Sequence, residues 1–142
     1  MTLGRRMRRA AASIYNEIYR VTGGRLLGRM AGLSVLLITV PGRKSGVPHT
    51  TAVSYFMDAD RFVVTGSGAG AVAEPQWFRN LRHVDQAVIE VGPHRIDVTV
   101  TIADAGERAV LWRELISLSP GFAKYEEKLD REIPMAILSP IE

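Results

Sequence analysis

The feature that most constrains this chain is a series of short β-rich runs, "LSVLLITV", "HTTAVSYFM", "RFVVTG", "QAVIEVG" and "HRIDVTVTIA", most of them separated by turns rather than by helices. A parallel neighbour needs a crossover of a dozen or more residues, whereas an antiparallel one needs only a tight turn. "DAD" supplies such a turn after Met57, and Gly92-Pro93 supplies another between the last two runs. "IPMAIL" near the C-terminus reads as a closing strand. About six mostly antiparallel strands result, and a small closed barrel is the economical way to remove their edges.

Helical segments interrupt the strands, which makes the class α+β. Met7, Ala10, Ala11, Ile14, Ile18 and Val21 recur at helical spacing, with Arg6, Arg9, Ser13, Glu17 and Arg20 on another face. An amphipathic helix ending at Gly23-Gly24 is expected, its apolar face packed on the body. An anionic membrane surface and RNA are the alternative partners for that helix. Residues 75–82, "PQWFRNLR", read as a short helix with Pro75 in its first position. Asp104 with Glu107 opens another helix, whose apolar face would be Val110, Leu111, Leu115 and Leu118, and Ser119-Pro120 restarts a last one over "GFAKYEEKLD".

With 142 residues the chain suits one domain over 1–142, the helix lying in 1–22 and the barrel with its later helices in 33–140. It contains no cysteine, so thiolate chemistry and disulfides are excluded, a reducing cytoplasm is the expected compartment, and any redox function must come from a cofactor. The apolar window from Met30 to Pro41 is far short of the ~20 residues a spanning helix needs. The basic start resembles a signal peptide, but Asn16 and Glu17 interrupt what would be its apolar stretch, so it is expected to belong to the mature protein. Residues 1–30 hold seven arginines and one acid, a balance of +6, while residues 31–142 stand at −3. The basic charge therefore belongs to the N-terminal segment, and nucleic acid is not an expected partner of the whole domain. Monomer and homodimer both remain open.

In "VPGRKSGVPHTT", residues 40–51, a loop between two strands sets Arg43 and Lys44 between Gly42 and Gly46. Glycines relax the backbone so that consecutive N–H groups can face one concavity, and the two cations suit phosphate or carboxylate. The alternative is a solvated hairpin tip that keeps a sheet edge soluble. No helix follows, so this is not a nucleotide-hydrolase phosphate loop. "TGSGAGA", residues 65–71, is a poor dinucleotide fingerprint but would let a flat ligand approach the backbone. His49, His83 and His94 show no metal-ligand spacing, and Ser67 lacks the setting of a hydrolase nucleophile. Trp77 and Trp112 read first as core anchors.

Four segments in order, "TVPGRKSGVPHTT", "RFVVTGSGAG", "EPQWFRNL" and "GFAKYEEKLDREIPMAILSP", resemble the deazaflavin-dependent nitroreductase family over residues 33–140. The resemblance implies a split β-barrel of the FMN-binding-like kind and reduced 8-hydroxy-5-deazaflavin, coenzyme F420, as hydride donor, with FMN the alternative. It implies that Arg43, Lys44, Ser45 and Gly46 hold the coenzyme's phosphate and polyglutamate tail, with Gly42, Pro48 and Thr50 also among the cofactor-binding residues. Ser67, Gly68, Ala69 and Gly70 would line the deazaflavin, with Thr65 and Gly66 also cofactor-binding and Trp77 and Asn80 near the site.

Two departures stand out: Gly68 occupies a place where the family often has lysine, and Phe122 precedes Tyr125 where nitro-reducing members carry tyrosines. Tyr125, or alternatively Ser67, is then the expected proton donor, and an activated double bond, a quinone or a nitro group of a small molecule the expected hydride acceptor. A non-catalytic lipid- or flavin-binding barrel at the membrane surface and an FMN-dependent oxidase are the competing readings.

Overall fold

The computed structural model describes residues 3–30 and 32–142, with Ala69 described by its backbone only. Seven strands form one sheet: β1 (Arg29–Met30), β2 (Leu33–Pro41), β3 (Pro48–Asp58), β4 (Arg61–Thr65), β5 (Gln86–Val91), β6 (His94–Ile102) and β7 (Met135–Pro140). Among the described residues four helices accompany these strands, α1 (Leu3–Val21), α2 (Gln76–Leu81), α3 (Ala105–Leu118) and α4 (Phe122–Lys128), with a 3-10 turn at Gly68–Gly70.

The spatial order is β1-β2-β3-β4-β7-β6-β5, every pairing is antiparallel, and β2 also pairs with β5 through Ile38↔Ile89. That last pairing closes β2 to β7 into a six-stranded barrel. The chain is thus a small antiparallel barrel of the α+β class, as the strand runs imply, and of the split β-barrel kind that the resemblance implies. β1 is the addition: two residues paired with Leu33 and Ser34 are too short to leave a periodic signal.

Burial explains the texture of the strands. Leu36, Ile38 and Val40 of β2 point into the barrel with Phe62, Val64, Ile89, Val98, Ala136 and Leu138, and Phe78 and Leu81 of α2 join them. The opposite face of β2 is covered as well, since Val35 and Leu37 pack under Tyr19 of α1. On β4 and β7, Val63, Met135 and Ile137 face outward beneath Leu111, Trp112 and Leu115 of α3 and Phe122 of α4. Strands buried on both faces read as continuous apolar runs, which is why "LSVLLITV" and "MAIL" do not alternate.

Two helices sit differently from their apolar patterns. The sequence places the apolar stripe of α1 against the body, yet Leu3, Met7, Ile14 and Val21 are 74%, 63%, 61% and 74% exposed. The face that docks is Tyr15, Asn16 and Tyr19, held by hydrogen bonds rather than by the stripe. In α3 the expected Asp104 cap is present, its carboxylate accepting from the Glu107 N–H at 2.8 Å. Its buried face, however, is Leu111, Trp112 and Leu115, while Val110 and Leu118 are exposed. Trp112 packs in the core with Leu111 and Leu115, as expected of a core anchor, and Arg108 lies over its ring at 4.7 Å. Pro75 caps α2 in an extended conformation instead of occupying its first turn. Among the described residues no helix is long and apolar enough to cross a membrane.

Candidate functional site

The β2–β3 hairpin carries Gly42 to Val47 beyond the end of the barrel, and its backbone is already bonded within the protein. Gly42 N–H donates to Val47 O and Gly46 N–H to Gly42 O, both at 2.8 Å, and Val47 N–H donates to Ser45 Oγ at 3.1 Å. Arg43 N–H donates to Asn80 Oδ1 at 3.1 Å. With four amides engaged in this way, the row of converging N–H groups that the glycine spacing suggests is not formed by them. The anion-binding capacity of the hairpin rests chiefly on its side chains.

Asn80 orients one of them. Its carboxamide oxygen, buried on α2, also accepts from the Arg43 guanidinium at 2.7 Å. One oxygen thereby fixes both the backbone and the side chain of Arg43.

Around this pair lies a cavity of about 520 Å³. The hairpin supplies Gly42, Arg43, Lys44 and Ser45, α2 supplies Gln76, Trp77 and Asn80, β3 supplies His49 and Thr51, and α1 supplies Arg5 and Arg9. Four permanently charged cations line it and, among the described residues, no carboxylate does. Trp77 is half-buried at its wall, its ring edge-on to Phe78 at 5.3 Å, so it serves the core and the cavity together.

The glycine segment lies against Phe78 of α2 at Gly66. Thr65 and Ser67 are buried, and the Thr65 hydroxyl donates to Ser67 Oγ at 3.3 Å. Gly68 has φ +57, and a Cβ there would lie 2.9 Å from the Pro75 ring, so the lysine expected by family resemblance would be strained in this backbone. Gly70, at φ +85, lets the Tyr125 ring lie against its backbone; a Cβ would meet that ring at 3.1 Å. The side chain of Ala69 lies outside the described residues.

One arginine organises the whole segment. The Arg131 guanidinium donates to the carbonyl oxygens of Gly66, Ser67, Ala71, Val72 and Ala73 at 3.0 to 3.4 Å. Nearby, Arg82 holds Glu74 by two hydrogen bonds of 2.9 and 2.8 Å, which lower the Glu74 pKa below the ordinary carboxylate value.

The residues predicted from sequence therefore fall into three places. Gly42, Arg43, Lys44, Ser45, Trp77 and Asn80 share the cation-lined cavity. Pro48 and Thr50 line a second cavity of about 450 Å³ between β3 and α1, and Gly46 closes the hairpin. Thr65 to Gly70 form the segment that Arg131 holds, with Tyr125 beside it; Tyr125 and Ser67 line neither cavity. Sequence reasoning missed Arg5, Arg9, His49, Thr51, Gln76 and Arg131. Only the first two left a signal, an arginine pair four apart on an amphipathic helix.

The site and fold together are a closed antiparallel barrel with a cation-lined cavity beside its β2–β3 hairpin. Residues 11–140 match the family model described as F420H(2)-dependent quinone reductase. The F420H(2)-dependent quinone reductase Rv1261c of Mycobacterium tuberculosis is 30% identical over 130 residues, 89% of this chain and 87% of that one. A solved F420-H2 dependent reductase, FDR-A, superposes with a TM-score of 0.67 at 24% identity, over 74% of this chain and 93% of that one. Another solved structure, a domain-swapped dimer, gives 0.70 at 22% identity over 97% and 100% of the two chains.

This chain belongs to the F420H(2)-dependent quinone reductase family. It is an oxidoreductase, and its cofactor is the deazaflavin coenzyme F420. The donor set fits that group, since four cations in a lining whose described residues include no carboxylate suit an anionic tail.

Proposed function

We propose that the protein reduces a quinone, with the coenzyme's phosphate and tail held by Arg43, Lys44 and Ser45 and its ring system lying toward the glycine segment of residues 65–70. When bound, reduced deazaflavin supplies a hydride. The observation that carries the reading is the convergence of hairpin and α2 on one cavity whose charged groups are all cations.

The protein's own part is to hold and orient. Asn80 keeps Arg43 aimed into the cavity, and its tie to the Arg43 N–H fixes the hairpin against α2. Arg131 holds the backbone of Gly66 to Ala73 in one shape, a rigid floor for a planar ring. Tyr125 is the better proton source of the two candidates. Its ring is only half-buried beside Gly70, whereas Ser67 is buried and its Oγ accepts from Thr65. The quinone is favoured over an activated double bond or a nitro group because the relatives carry that substrate in their names. Steady-state assays on a panel of quinones, enones and nitroaromatics test this, with quinones expected to give the highest kcat/KM.

We further propose that residues 1–142 act as one unit in the cytoplasm and rest against an anionic membrane surface. Exposed Leu3, Met7, Ile14 and Val21 support this, together with the arginines flanking them on α1. Met7→Glu with Ile14→Glu should abolish flotation with anionic vesicles. If the pair instead splits a homodimer in sedimentation and leaves flotation unchanged, the stripe is a subunit contact.

A further inference from the structure

We propose that α1 belongs to the coenzyme site: Arg5 and Arg9 form, opposite Arg43 and Lys44, the second wall of a channel for a chain-like polyanion. This rests on the cofactor reading above and names the residues that would take the coenzyme's tail of successive carboxylates.

The helix geometry supplies the argument. Arg5, Arg9, Ala12, Asn16 and Tyr19 are spaced by four, three, four and three residues and so share one face of α1. That face is fixed at its C-terminal half. Tyr19 is 1% exposed and its hydroxyl donates to Val35 O at 2.9 Å while accepting from Gly92 N–H at 2.8 Å. Asn16 Nδ2 donates to Thr50 O at 3.1 Å, and Arg20 pairs with Glu90 at 2.9 Å.

With the lower half anchored, the remaining eleven residues carry the same face roughly 16 Å further along the axis, past the start of β3 and out over the hairpin. Arg5 and Arg9 arrive at the cavity as a consequence, and the apolar stripe is turned to the outside. Between the two walls stand four cations, and the lining side chains that face them are neutral or basic: Ser45, His49, Thr51, Gln76, Trp77 and Asn80.

Clustered like charges repel unless an anion lies among them. A single phosphate occupies one or two such groups at most, whereas a row of carboxylates engages both walls. The N-terminal half of α1, residues 3–14, is also exposed throughout. A polyanion bridging the walls would therefore order it.

The test compares Arg5→Gln/Arg9→Gln with wild type in fluorescence titrations of two ligands, the complete coenzyme and the deazaflavin riboside lacking phosphate and tail. Arg43→Ala/Lys44→Ala serves as reference. The double glutamine variant should bind the complete coenzyme about tenfold more weakly, with a shallower dependence on salt, and bind the riboside as wild type does. Amide exchange at residues 3–14 should slow on adding the complete coenzyme and not on adding the riboside. An unchanged affinity together with unchanged exchange, while Arg43→Ala/Lys44→Ala does lose affinity, overturns the role of α1 alone. Absence of binding by wild type overturns the cofactor reading instead.

Discussion

Asn80 Oδ1 accepts two hydrogen bonds from Arg43, 3.1 Å from its backbone N–H and 2.7 Å from its guanidinium. Both residues line the cavity, but the carboxamide oxygen is directed at the arginine, which makes Asn80 a positioning residue. Asn80→Ala should lower coenzyme affinity by about tenfold, a loss near the ~1.5 kcal/mol of one charge-assisted hydrogen bond. In a double-mutant cycle the combined Asn80→Ala/Arg43→Ala variant should lose little more than Arg43→Ala alone. Additive losses would show that Asn80 contacts the coenzyme itself.

Arg131 ties five carbonyl groups of one loop with a single planar cation, a geometry an ammonium does not reproduce. Arg131→Lys should therefore behave much like Arg131→Ala, each costing about 2–4 kcal/mol in urea unfolding. Full retention of stability in the lysine variant would mean that the fork is dispensable.

Tyr19 joins α1 to the barrel through one buried hydroxyl that donates to Val35 and accepts from Gly92. Tyr19→Phe leaves a partly buried N–H without its acceptor and should destabilise the fold by about 1–3 kcal/mol. Burial raises the Tyr19 pKa, so the neutral form is favoured in the folded state. That contribution is present below the ordinary tyrosine pKa of about 10 and is lost as pH rises through the higher folded value. In Tyr19→Phe this alkaline loss should be smaller, as measured by unfolding at a series of pH values.

Glu74 gives the opposite pH dependence. The hydrogen bonds from Arg82 lower its pKa, so its contribution is present above the ordinary carboxylate pKa and disappears as pH falls through the lower folded value. Arg82 is 41% exposed and the pair is screened by solvent, so Glu74→Gln should cost no more than about 1 kcal/mol at neutral pH. The same variant should flatten the acid limb of the stability profile.

Tyr125→Phe removes a hydroxyl while keeping the ring against Gly70. A proton source lost without loss of contact area should reduce kcat at least tenfold and leave coenzyme affinity within about twofold. Equal reductions in both would assign Tyr125 to binding.

The barrel was legible because its signals are local: β-branched runs, the "DAD" turn and Gly92-Pro93 each specify backbone geometry over a few residues. The hairpin cations were legible in their glycine-flanked loop, and Trp77 and Asn80 through the resemblance of ordered segments. What stayed hidden depends on partners distant in the chain. An amphipathic stripe states which face of α1 is apolar and not that it is buried, and the docking face owes its position to carbonyls of Val35 and Thr50, 16 and 34 residues away. Arg131 bonds to a loop some sixty residues earlier, and no periodicity announces such a contact. Trp112 was legible as a core anchor, whereas the exposure of Val110 and Leu118 on the same helix is a choice that spacing alone leaves open.

Fluorescence titration of the purified protein with reduced and oxidised deazaflavin coenzyme tests the central claim most directly. Saturable binding in the micromolar range, weakened by salt and by Arg43→Ala/Lys44→Ala, is the predicted result. Failure to bind at micromolar concentration, or binding indifferent to that double substitution, would contradict a coenzyme site on the 42–46 hairpin.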